Sequence, residues 1–388
     1  MQHVLIVVRS LKIGGIERVA VNLANALVEQ GHNVHLLLYK NVLELETDPR
    51  VTIHVRDFDK LNRLTVIGLV YDLITRALLR PLLPYSGFLW KGIYYTPLFQ
   101  HFVRKLEKRG GFHFDQIIFR GQGAFDVLWP LKEPRAYYVV ESYPWLHNRG
   151  DSRFKQKVDR FYLRRLFHGK RVITVSTGIK EALAEKCKAA DAEPALLQTI
   201  FNPCPIAEVR QLANAPAPVP TEPYLVHVGR LTPVKNQELL LRAFAKSGIA
   251  AKLVILGKGK SEQKLRQQAK ALGLAEQVIF QGHSLNPFPW MKHARLFVLS
   301  SRSEGLGMVL IESLACGTPV IATDCPGGIR DIMIEELTNY IAALDEDDLA
   351  RIMRAAWNDP LQIKAHWVER FDAQYIANQF LDLGRSGH

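Results

Sequence analysis

Two widely separated stretches of the chain share one pattern, in which a short apolar run is followed by glycine and then by an amphipathic helix. The first stretch contains HVLIVV from His3, the glycines Gly14 and Gly15, and a helical run that ends at Gly31. Apolar residues in that run recur at helical spacing, and glycine is typical just after the C-terminus of a helix. A buried strand, a glycine turn and a helix in this order predict the opening of a doubly wound parallel sheet.

The same pattern restarts at Tyr224, where YLVHVGRL is followed by a helical run and then by KLVIL, QVIF, RLFVL and PVIAT. Length agrees with a repeated core, because 388 residues are roughly two to three times the size of a usual domain. Prolines cluster between Pro203 and Pro223. We therefore predict two α/β domains with the hinge between them in this proline-rich segment.

Charge and cysteine content limit the environment and the partners. The net charge of +12 favours anionic partners, such as nucleic acid, anionic lipid or phosphorylated glycans, without selecting one of them. The four cysteines show no C-x-x-C pair and no zinc-ligand spacing, which predicts reduced thiols in the cytoplasm: Cys187, Cys204, Cys316 and Cys325. The run HVLIVV lacks a basic region before it and a cleavage site after it, so we interpret it as a strand rather than a signal peptide.

Residues 61–109 mix apolar runs, aromatic residues and scattered basic residues, which is typical of amphipathic helices. Charged residues interrupt every run before it is long enough to span a bilayer: Asp72, Arg76, Arg80 and Lys91. One interpretation is a surface helix on anionic lipid, with Trp90, Tyr94 and Tyr95 at headgroup depth. The other is a helix pair in the interior of the first domain, with the aromatic residues packed inside.

The segment SEGLGMVLIESLACGTPVIATD carries the most informative polar residues. Glu304 follows a predicted buried strand, and Glu312 lies eight residues further on, in the next helix. The amides of Gly305, Leu306 and Gly307 open that helix, and a helix N-terminus favours phosphate. A carboxylate can accept hydrogen bonds from vicinal hydroxyls, so one glutamate can hold a sugar and the other a ribose.

A second polar segment is HVGRLTPVKN, which follows the first predicted strand of the second domain. Arg230 and Lys235 lie five residues apart in the loop after Gly229. Two cations in such a loop can neutralise a diphosphate and stabilise the charge that grows on it as it leaves.

The E-x7-E spacing within EGLGMVLIESLACGTPVIATD closely resembles the signature of the retaining family 4 glycosyltransferases, which use nucleotide sugars. The G-R-x4-K loop, KIGGIERVAVNLANAL from Lys12 and TIFNPCPI from Thr199 are similar to further motifs of that family. HSLNPFPWMKHARLFVLSSRSEG from His283, and ATDCPGG with Arg330, resemble members that build bacterial lipopolysaccharide, O-antigen or capsule.

The resemblance implies the GT-B fold, in which two Rossmann-like α/β/α domains face each other across a cleft. It implies an acceptor-binding domain over residues 1–200, a nucleotide-sugar-binding domain over 201–360, and a C-terminal helix within 361–388 that crosses back to the first domain. The implied catalytic residues are Arg230 and Lys235 on the diphosphate and Glu304 on the sugar. The implied donor-binding residues, with Glu312 on the ribose, are Gly14, Gly15, Gly229, Gly257, Gly259, His283, Gly305, Leu306, Gly307 and Glu312.

The resemblance further implies transfer of a sugar from a nucleotide-sugar donor, with retention of configuration, to a glycan or lipid-linked acceptor. We expect a UDP-sugar donor, with a GDP-mannose-dependent mannosyltransferase as the alternative, and a role in bacterial cell-surface polysaccharide or lipopolysaccharide synthesis. We expect no metal and no cofactor. The expected location is the cytoplasm, peripherally on the inner face of the cytoplasmic membrane.

The sequence departs from the family in the first domain. Many members carry a histidine after the fourth strand of that domain, near the donor sugar. Here the corresponding stretch reads RAYYVVESYPWLHN, with Glu141 and Ser142 at the expected position, and His147 lies further downstream.

Three other patterns point to different classes of protein. The pair Asp57 and Asp59 matches the metal-binding Asp-x-Asp of another glycosyltransferase class, but its position favours an ordinary loop. GKGKSE at Gly257 lacks the third glycine of a dinucleotide fingerprint, which argues against a dehydrogenase. The basic run from His147 suggests a nucleic-acid binder. Its apolar residues recur at helical spacing, which instead indicates an amphipathic helix: Phe154, Val158, Phe161, Tyr162 and Leu166.

Overall fold

A computed structural model describes residues 1–74, 77, 86–142 and 153–385. The chain divides into two compact units. Unit 1 comprises Met1–Val175, Lys180–Pro203 and Gln374–His388, and unit 2 comprises Ser176–Ile179 and Cys204–Ala373. The main division at Pro203 lies at the start of the proline-rich segment. The return to unit 1 begins at Gln374.

Unit 1 is built on a seven-stranded sheet in the order β3-β2-β1-β4-β5-β6-β7. All its strands are parallel; Val4 of β1, for example, pairs with Val34 of β2 on one side and with Gln116 of β4 on the other. Buried apolar residues fill the central strands because both faces of the sheet are covered. The strands are β1 His3–Val8, β2 Asn33–Leu38, β3 Thr52–Val55, β4 Gln116–Arg120, β5 Ala136–Val140, β6 Arg171–Thr174 and β7 Leu196–Thr199.

Apart from Ala373–Arg385, which follows the last strand of the chain, the helices of unit 1 lie between successive strands. The first is amphipathic: its core face includes Val19, Leu23 and Leu27. The helix Ala373–Arg385 is anchored to unit 1 by the buried side chain of Gln116, whose Nε2 donates to the Phe380 carbonyl at 2.6 Å. The helices are Gly15–Glu29, Phe58–Arg63, Val66–Ile74, Ser86–Gly110, Gln122–Phe125, Arg153–Phe167, Thr177–Ala190 and Ala373–Arg385, with a 3-10 turn at Asp126–Leu128.

Unit 2 is built on a six-stranded parallel sheet in the order β10-β9-β8-β11-β12-β13. Its helices include Glu346–Asn358, whose N-terminus is capped by the Asp345 carboxylate accepting from two backbone amides. The strands are β8 Tyr224–Val228, β9 Lys252–Leu256, β10 Val278–Gly282, β11 Leu296–Leu299, β12 Val320–Thr323 and β13 Ile341–Ala342. The remaining helices are Ile206–Leu212, Gln237–Ser247, Glu262–Ala271, Phe288–Lys292, Met308–Ala315, Ile329–Ile332 and His366–Glu369, with a 3-10 turn at Glu335–Tyr340.

Two doubly wound α/β units confirm the predicted fold class. In each sheet the strand order reverses beside the first strand, between β1 and β4 in unit 1 and between β8 and β11 in unit 2. Loops at the carboxyl ends of strands beside such a reversal point form the usual ligand sites of these sheets. All four cysteines are unpaired, as predicted.

The segment 61–109 divides between core and surface in a way that neither interpretation fully predicted. Tyr95 and Phe99 are buried in unit 1, so Tyr95 does not lie at a surface. Val66 and Ile67 are each 80% exposed on the helix Val66–Ile74. Arg76 and Arg80 lie outside the described residues, as does the side chain of Trp90. In the described part of the chain, no helix combines the length and apolar character needed to cross a membrane.

The basic helix Arg153–Phe167 follows the amphipathic interpretation. Tyr162 and Leu166 are buried, and Phe161 is exposed beside the basic residues. The side chain of Phe154, and His147, lie outside the described residues. The helix therefore buries its apolar face.

Candidate active site

The centre of the site in unit 2 is an ion pair between Lys235 and Glu304. Glu304 follows β11, after the buried residues Ser300 and Ser301. Its Oε1 accepts from Lys235 Nζ at 2.5 Å and from Ser301 Oγ at 2.5 Å. The two charged side chains are only 20% and 9% exposed, so water screens the pair weakly. A cation and a carboxylate are thus held together at the carboxyl edge of the sheet.

The loop that carries Lys235 is fixed by a buried polar chain. His227 Nδ1 donates to the Val298 carbonyl at 2.9 Å, and the Gln237 amide donates to His227 Nε2 at 3.1 Å. Gln237 Nε2 also donates to the Arg230 carbonyl at 3.0 Å. Burial lowers the pKa of His227 to about 4, so this histidine is neutral and can accept at Nε2. Neither His227 nor Gln237 was predicted as a site residue; the available signal for His227 was a polar residue within the buried run YLVHV.

The predicted glycines bring neighbouring loops into main-chain contact. Gly257 has a φ of 143°, and a Cβ there would lie 1.9 Å from the Gly229 carbonyl oxygen. A Cβ on Gly259 would lie 2.1 Å from the Leu231 carbonyl oxygen. These glycines therefore pack the two loops against each other. Gly257 N also donates to the Gly282 carbonyl at 2.7 Å, which brings the exposed His283 to the same edge.

The helix Met308–Ala315 opens beside this ion pair. Gly307 caps it with a φ of 102°, and Glu312 is half-buried further along the same helix. Leu306 is buried, so only its backbone is available to a ligand. Within the described ranges, the amides of Gly305, Leu306 and Gly307 donate to no main-chain oxygen. They are the unpaired donors that a phosphate can occupy.

One glycine at the carboxyl edge of the unit 2 sheet was not predicted as a site residue. Gly327 has a φ of 121°, and a Cβ there would lie 1.7 Å from the Glu304 carbonyl oxygen. Glu304 N donates to the Pro326 carbonyl at 3.0 Å. The segment CPGG, residues 325–328, therefore packs against the backbone of Glu304. This close approach and the positive φ require glycine at position 327.

Gly14 and Gly15 lie in unit 1, whereas all the other predicted site residues lie in unit 2. Gly15 begins the helix Gly15–Glu29, and Gly14 caps it. A Cβ on Gly14 would lie 2.4 Å from Glu17 Oε2, whereas one on Gly15 would meet nothing within 4 Å. The glycine pair therefore forms the open N-terminus of the helix that follows β1.

Unit 1 carries a buried charged cluster at the carboxyl edge of its own sheet. Arg120 Nη2 lies 2.6 Å from Glu141 Oε1 and donates to Asn202 Oδ1 at 2.6 Å; Asn202 Nδ2 donates to Glu141 Oε2 at 3.2 Å. The side chains of Arg120 and Glu141 are 0% and 3% exposed. Burial raises the pKa of the Glu141 carboxyl, and Arg120 beside it acts in the opposite direction.

This cluster lies where the family's histidine was expected. Glu141 follows β5. This strand is the fifth of unit 1, rather than the fourth, because the short strand β3 is counted before it. His147 lies outside the described residues. The position is therefore occupied by a carboxylate in an ion pair, and sequence reasoning missed both of its partners.

Asp57 and Asp59 belong to the structure of unit 1. Asp57 Oδ1 accepts from the Lys60 amide at 2.9 Å, as in an ordinary helix start. Asp59 Oδ1 accepts from Lys91 Nζ at 2.6 Å and from Tyr95 hydroxyl at 2.5 Å. Asp59 therefore links the helices Phe58–Arg63 and Ser86–Gly110, whereas Asp57 caps the first of them.

Comparison with known families agrees with this geometry. Residues 13–196 match the model described as "Glycosyltransferase Family 4", and residues 210–371 match the model described as "Glycosyl transferases group 1". The chain belongs to the family 4 glycosyltransferases with the GT-B fold.

Individual relatives match parts of the chain. An uncharacterized glycosyltransferase of Methanocaldococcus jannaschii is 42% identical over 29% of this chain and 28% of its own length. A Campylobacter jejuni N-acetylgalactosaminyltransferase that acts on a diphospho-undecaprenol-linked sugar is 29% identical over 50% of this chain and 53% of its own. A Salmonella typhimurium lipopolysaccharide 1,6-galactosyltransferase is 27% identical over 53% and 59%. In each case the match covers less than two thirds of the relative.

Solved structures share the fold over the whole chain. Anabaena HepE in complex with UDP superposes with a TM-score of 0.66 at 19% identity, covering 100% of both chains. Staphylococcus aureus TarM, in a mutant complex that contains UDP, gives a TM-score of 0.68 at 15% identity, covering 99% and 100%.

Proposed function

We propose that this protein transfers a sugar from a UDP-sugar to a glycan or lipid-linked acceptor, with retention of configuration, in the synthesis of a bacterial cell-surface polysaccharide. The observation that carries the proposal is the Lys235–Glu304 pair beside the open helix N-terminus at Gly305–Gly307. The relatives named for diphospho-undecaprenol-linked and lipopolysaccharide acceptors, and the HepE structures with UDP and UDP-glucose, support the choice of donor and acceptor.

The donor diphosphate is bound by cations and amides of unit 2. Arg230 is exposed, and in the described ranges it forms no ion pair, so its guanidinium is available to phosphate. Lys235 contributes a second charge, and the amides at Gly305–Gly307 contribute donors. Glu312 accepts from the ribose hydroxyls on the same helix. These contacts stabilise the negative charge that grows on the diphosphate during transfer.

Glu304 orients the transferred sugar rather than attacking it. Its Oε1 is already held by Lys235 and Ser301, which leaves Oε2 for sugar hydroxyls. Donation from an ammonium and a hydroxyl makes this carboxylate a weak nucleophile. The acceptor oxygen therefore bonds to the anomeric carbon on the face that the diphosphate leaves, as the bond to phosphate breaks. The departing phosphate oxygen takes the acceptor's proton.

No metal is needed in this mechanism. Arg230, Lys235 and the helix amides supply the positive charge that a divalent ion supplies in metal-dependent transferases. The Asp57 and Asp59 carboxylates are engaged in structural contacts of unit 1.

The ribose contact provides the test of nucleotide binding. We expect Glu312→Ala to weaken UDP binding about tenfold to a hundredfold, because a hydrogen bond to a charged group contributes about 1.5–3 kcal/mol. Isothermal titration with UDP, GDP and ADP measures the effect and identifies the base. Glu276→Ala, which removes an exposed glutamate elsewhere in unit 2, is the matched control.

Two results would contradict the donor assignment. Equal affinity of Glu312→Ala and wild type for UDP would contradict the proposed contact between Glu312 and the ribose. Tight binding of GDP with no binding of UDP would favour the GDP-mannose-dependent alternative.

We also propose that the protein binds anionic membranes through the helix Val66–Ile74. Leu64, Val66 and Ile67 are 74%, 80% and 80% exposed, which is unusual for large aliphatic residues at neighbouring positions. The net charge of +12 adds attraction of on the order of 1 kcal/mol for each basic residue near the lipid, and salt screens it. The apolar anchors are thus aliphatic, and Tyr95 belongs to the core.

Vesicle flotation tests this association. We expect recovery with anionic vesicles at low salt, release at high salt, and a large loss of recovery for Val66→Ser/Ile67→Ser. Serine leaves the charge unchanged, and Leu285→Ser, which alters a residue 74% exposed in unit 2, is the control. Equal recovery with neutral and anionic lipid, or none with either, would contradict the proposal.

A further inference from the structure

A cavity of about 730 Å³ opens at the amino ends of β5 and β6 in unit 1. It lies at the edge of the sheet opposite to Glu141, which follows the carboxyl end of β5. The volume falls within the roughly 300–1,000 Å³ of small-molecule sites. Neither the proposed donor contacts nor the proposed membrane helix uses any residue of this cavity.

The lining of the cavity is strongly basic. Six of its side chains are basic: Lys132, Arg164, Arg165, His168, Lys170 and Arg171. The one carboxylate in the lining, Glu133, is paired with Arg135 at 2.7 Å. Arg164 has an exposed partner in Asp191 at 3.3 Å. The cavity therefore holds an excess of positive charge that attracts anions.

Lys170 lies in this cavity without a counter-ion. Its Nζ donates to the Trp129 carbonyl at 2.9 Å and lies 4.6 Å from the centre of the Tyr138 ring. Among the residues that the structure describes, no carboxylate forms an ion pair with it. Burial lowers the pKa of Lys170 to about 7. A bound anion would stabilise the protonated, positively charged form of the Lys170 side chain.

Arg165 contacts two aromatic rings. Its guanidinium carbon lies 4.9 Å from the centre of the Trp129 ring and 5.1 Å from that of Phe161. Contact with two rings restricts the position of the guanidinium, and its N–H donors remain available to an anion because the residue is exposed. Such a preorganised fork matches the geometry of a phosphate group.

We propose that this cavity binds a phosphate-bearing ligand, with Arg165 and Lys132 as contacts near its mouth and Lys170 at its buried side. Phosphate fits because the site offers several cations and an arginine fork, and the cavity has room for more than one phosphate group. The group can come from a soluble phosphate ester or from the headgroup of a phospholipid. The site is independent of the proposed donor contacts, which lie in unit 2.

Titration with inorganic pyrophosphate tests the site in the full chain. Every protein in the test carries Arg230→Ala and Lys235→Ala, so the proposed donor contacts do not add to the signal. We expect Lys132→Ala with Arg165→Ala to weaken pyrophosphate binding about tenfold or more, since two charge-assisted contacts are lost. The matched control is Lys105→Ala with Lys188→Ala, which removes two exposed charges of unit 1 outside the cavity. Thermal unfolding checks that all variants fold.

Vesicles of phosphatidylcholine, with and without phosphatidic acid, separate the two sources of phosphate. Reduced recovery of the cavity variant on phosphatidic acid would identify a lipid headgroup, whereas unchanged recovery with weakened pyrophosphate binding would identify a soluble ester. Equal pyrophosphate affinity for the cavity variant and its control, or no binding to the Arg230→Ala/Lys235→Ala protein, would overturn the proposal. Neither result depends on whether UDP binds to unit 2.

Discussion

Replacing Glu141 by alanine is expected to lower the stability of unit 1 by about 3–5 kcal/mol, because it leaves the Arg120 guanidinium buried without a counter-charge. Arg120 is fully buried, and Glu141 Oε1 lies 2.6 Å from its Nη2. Asn202 cannot replace the lost charge, because it offers only a neutral amide oxygen. The Glu141 carboxylate therefore stabilises the carboxyl edge of the unit 1 sheet.

Urea denaturation followed by tryptophan fluorescence and circular dichroism measures this loss. Glu262→Ala is the matched control, because it breaks an exposed i,i+4 pair with Arg266 that contributes at most about 1 kcal/mol. Glu141→Gln keeps the side-chain shape and the acceptor for Asn202, so it isolates the charge. A decrease of less than about 1 kcal/mol in the free energy of unfolding of Glu141→Ala would show that the Arg120 guanidinium is solvated or paired with another group in the variant.

Lys235→Ala is expected to reduce the rate of sugar transfer by about 10²–10³-fold, mainly in kcat, because Lys235 faces the charge that develops on the leaving diphosphate. Lys235→Arg should recover only part of the rate, since a planar guanidinium cannot occupy the position of a compact ammonium 2.5 Å from Glu304. Initial rates of nucleoside diphosphate release measure both variants.

Lys264→Ala serves as the control for Lys235→Ala, because Lys264 also pairs with a glutamate, Glu238, but is 68% exposed. All assays are run in EDTA, where we expect wild-type transfer to persist. A Lys235→Ala enzyme with an unchanged kcat would exclude the role on the diphosphate. Loss of wild-type activity in chelator, restored by magnesium or manganese, would show that the positive charge comes from a metal.

The sequence predicted the two sheets well because their central strands are continuous apolar runs, such as HVLIVV and KLVIL. It also predicted Lys235 and Glu304 as site residues, but as separate contacts for the diphosphate and the sugar of the donor. Their ion pair joins residues 69 positions apart, and only the strand order brings them together. A linear pattern carries no signal for such a contact.

Other parts of the site were hidden for different physical reasons. Arg120 ends the strand QIIFR, where an arginine ordinarily reaches solvent. Its burial depends on Glu141 and Asn202, which follow β5 and β7 and lie 21 and 82 positions further along the chain. The aromatic residues at 94–99 have helical spacing, but periodicity cannot tell a face that meets lipid from one that meets a protein core. Tyr95 proved to be core, and the exposed apolar face lies earlier, at Val66 and Ile67.

The helix Ala373–Arg385 makes unit 1 discontinuous in the chain, and this affects how such proteins can be built and recombined. Unit 1 cannot be completed during translation until its last helix has left the ribosome, by which time every residue of unit 2 has been synthesised. A fragment that stops at Pro203 leaves the buried Gln116 amide without its acceptor at Phe380. A chimera that exchanges unit 2 with a relative should therefore keep residues 374–385 from the same parent as residues 1–203.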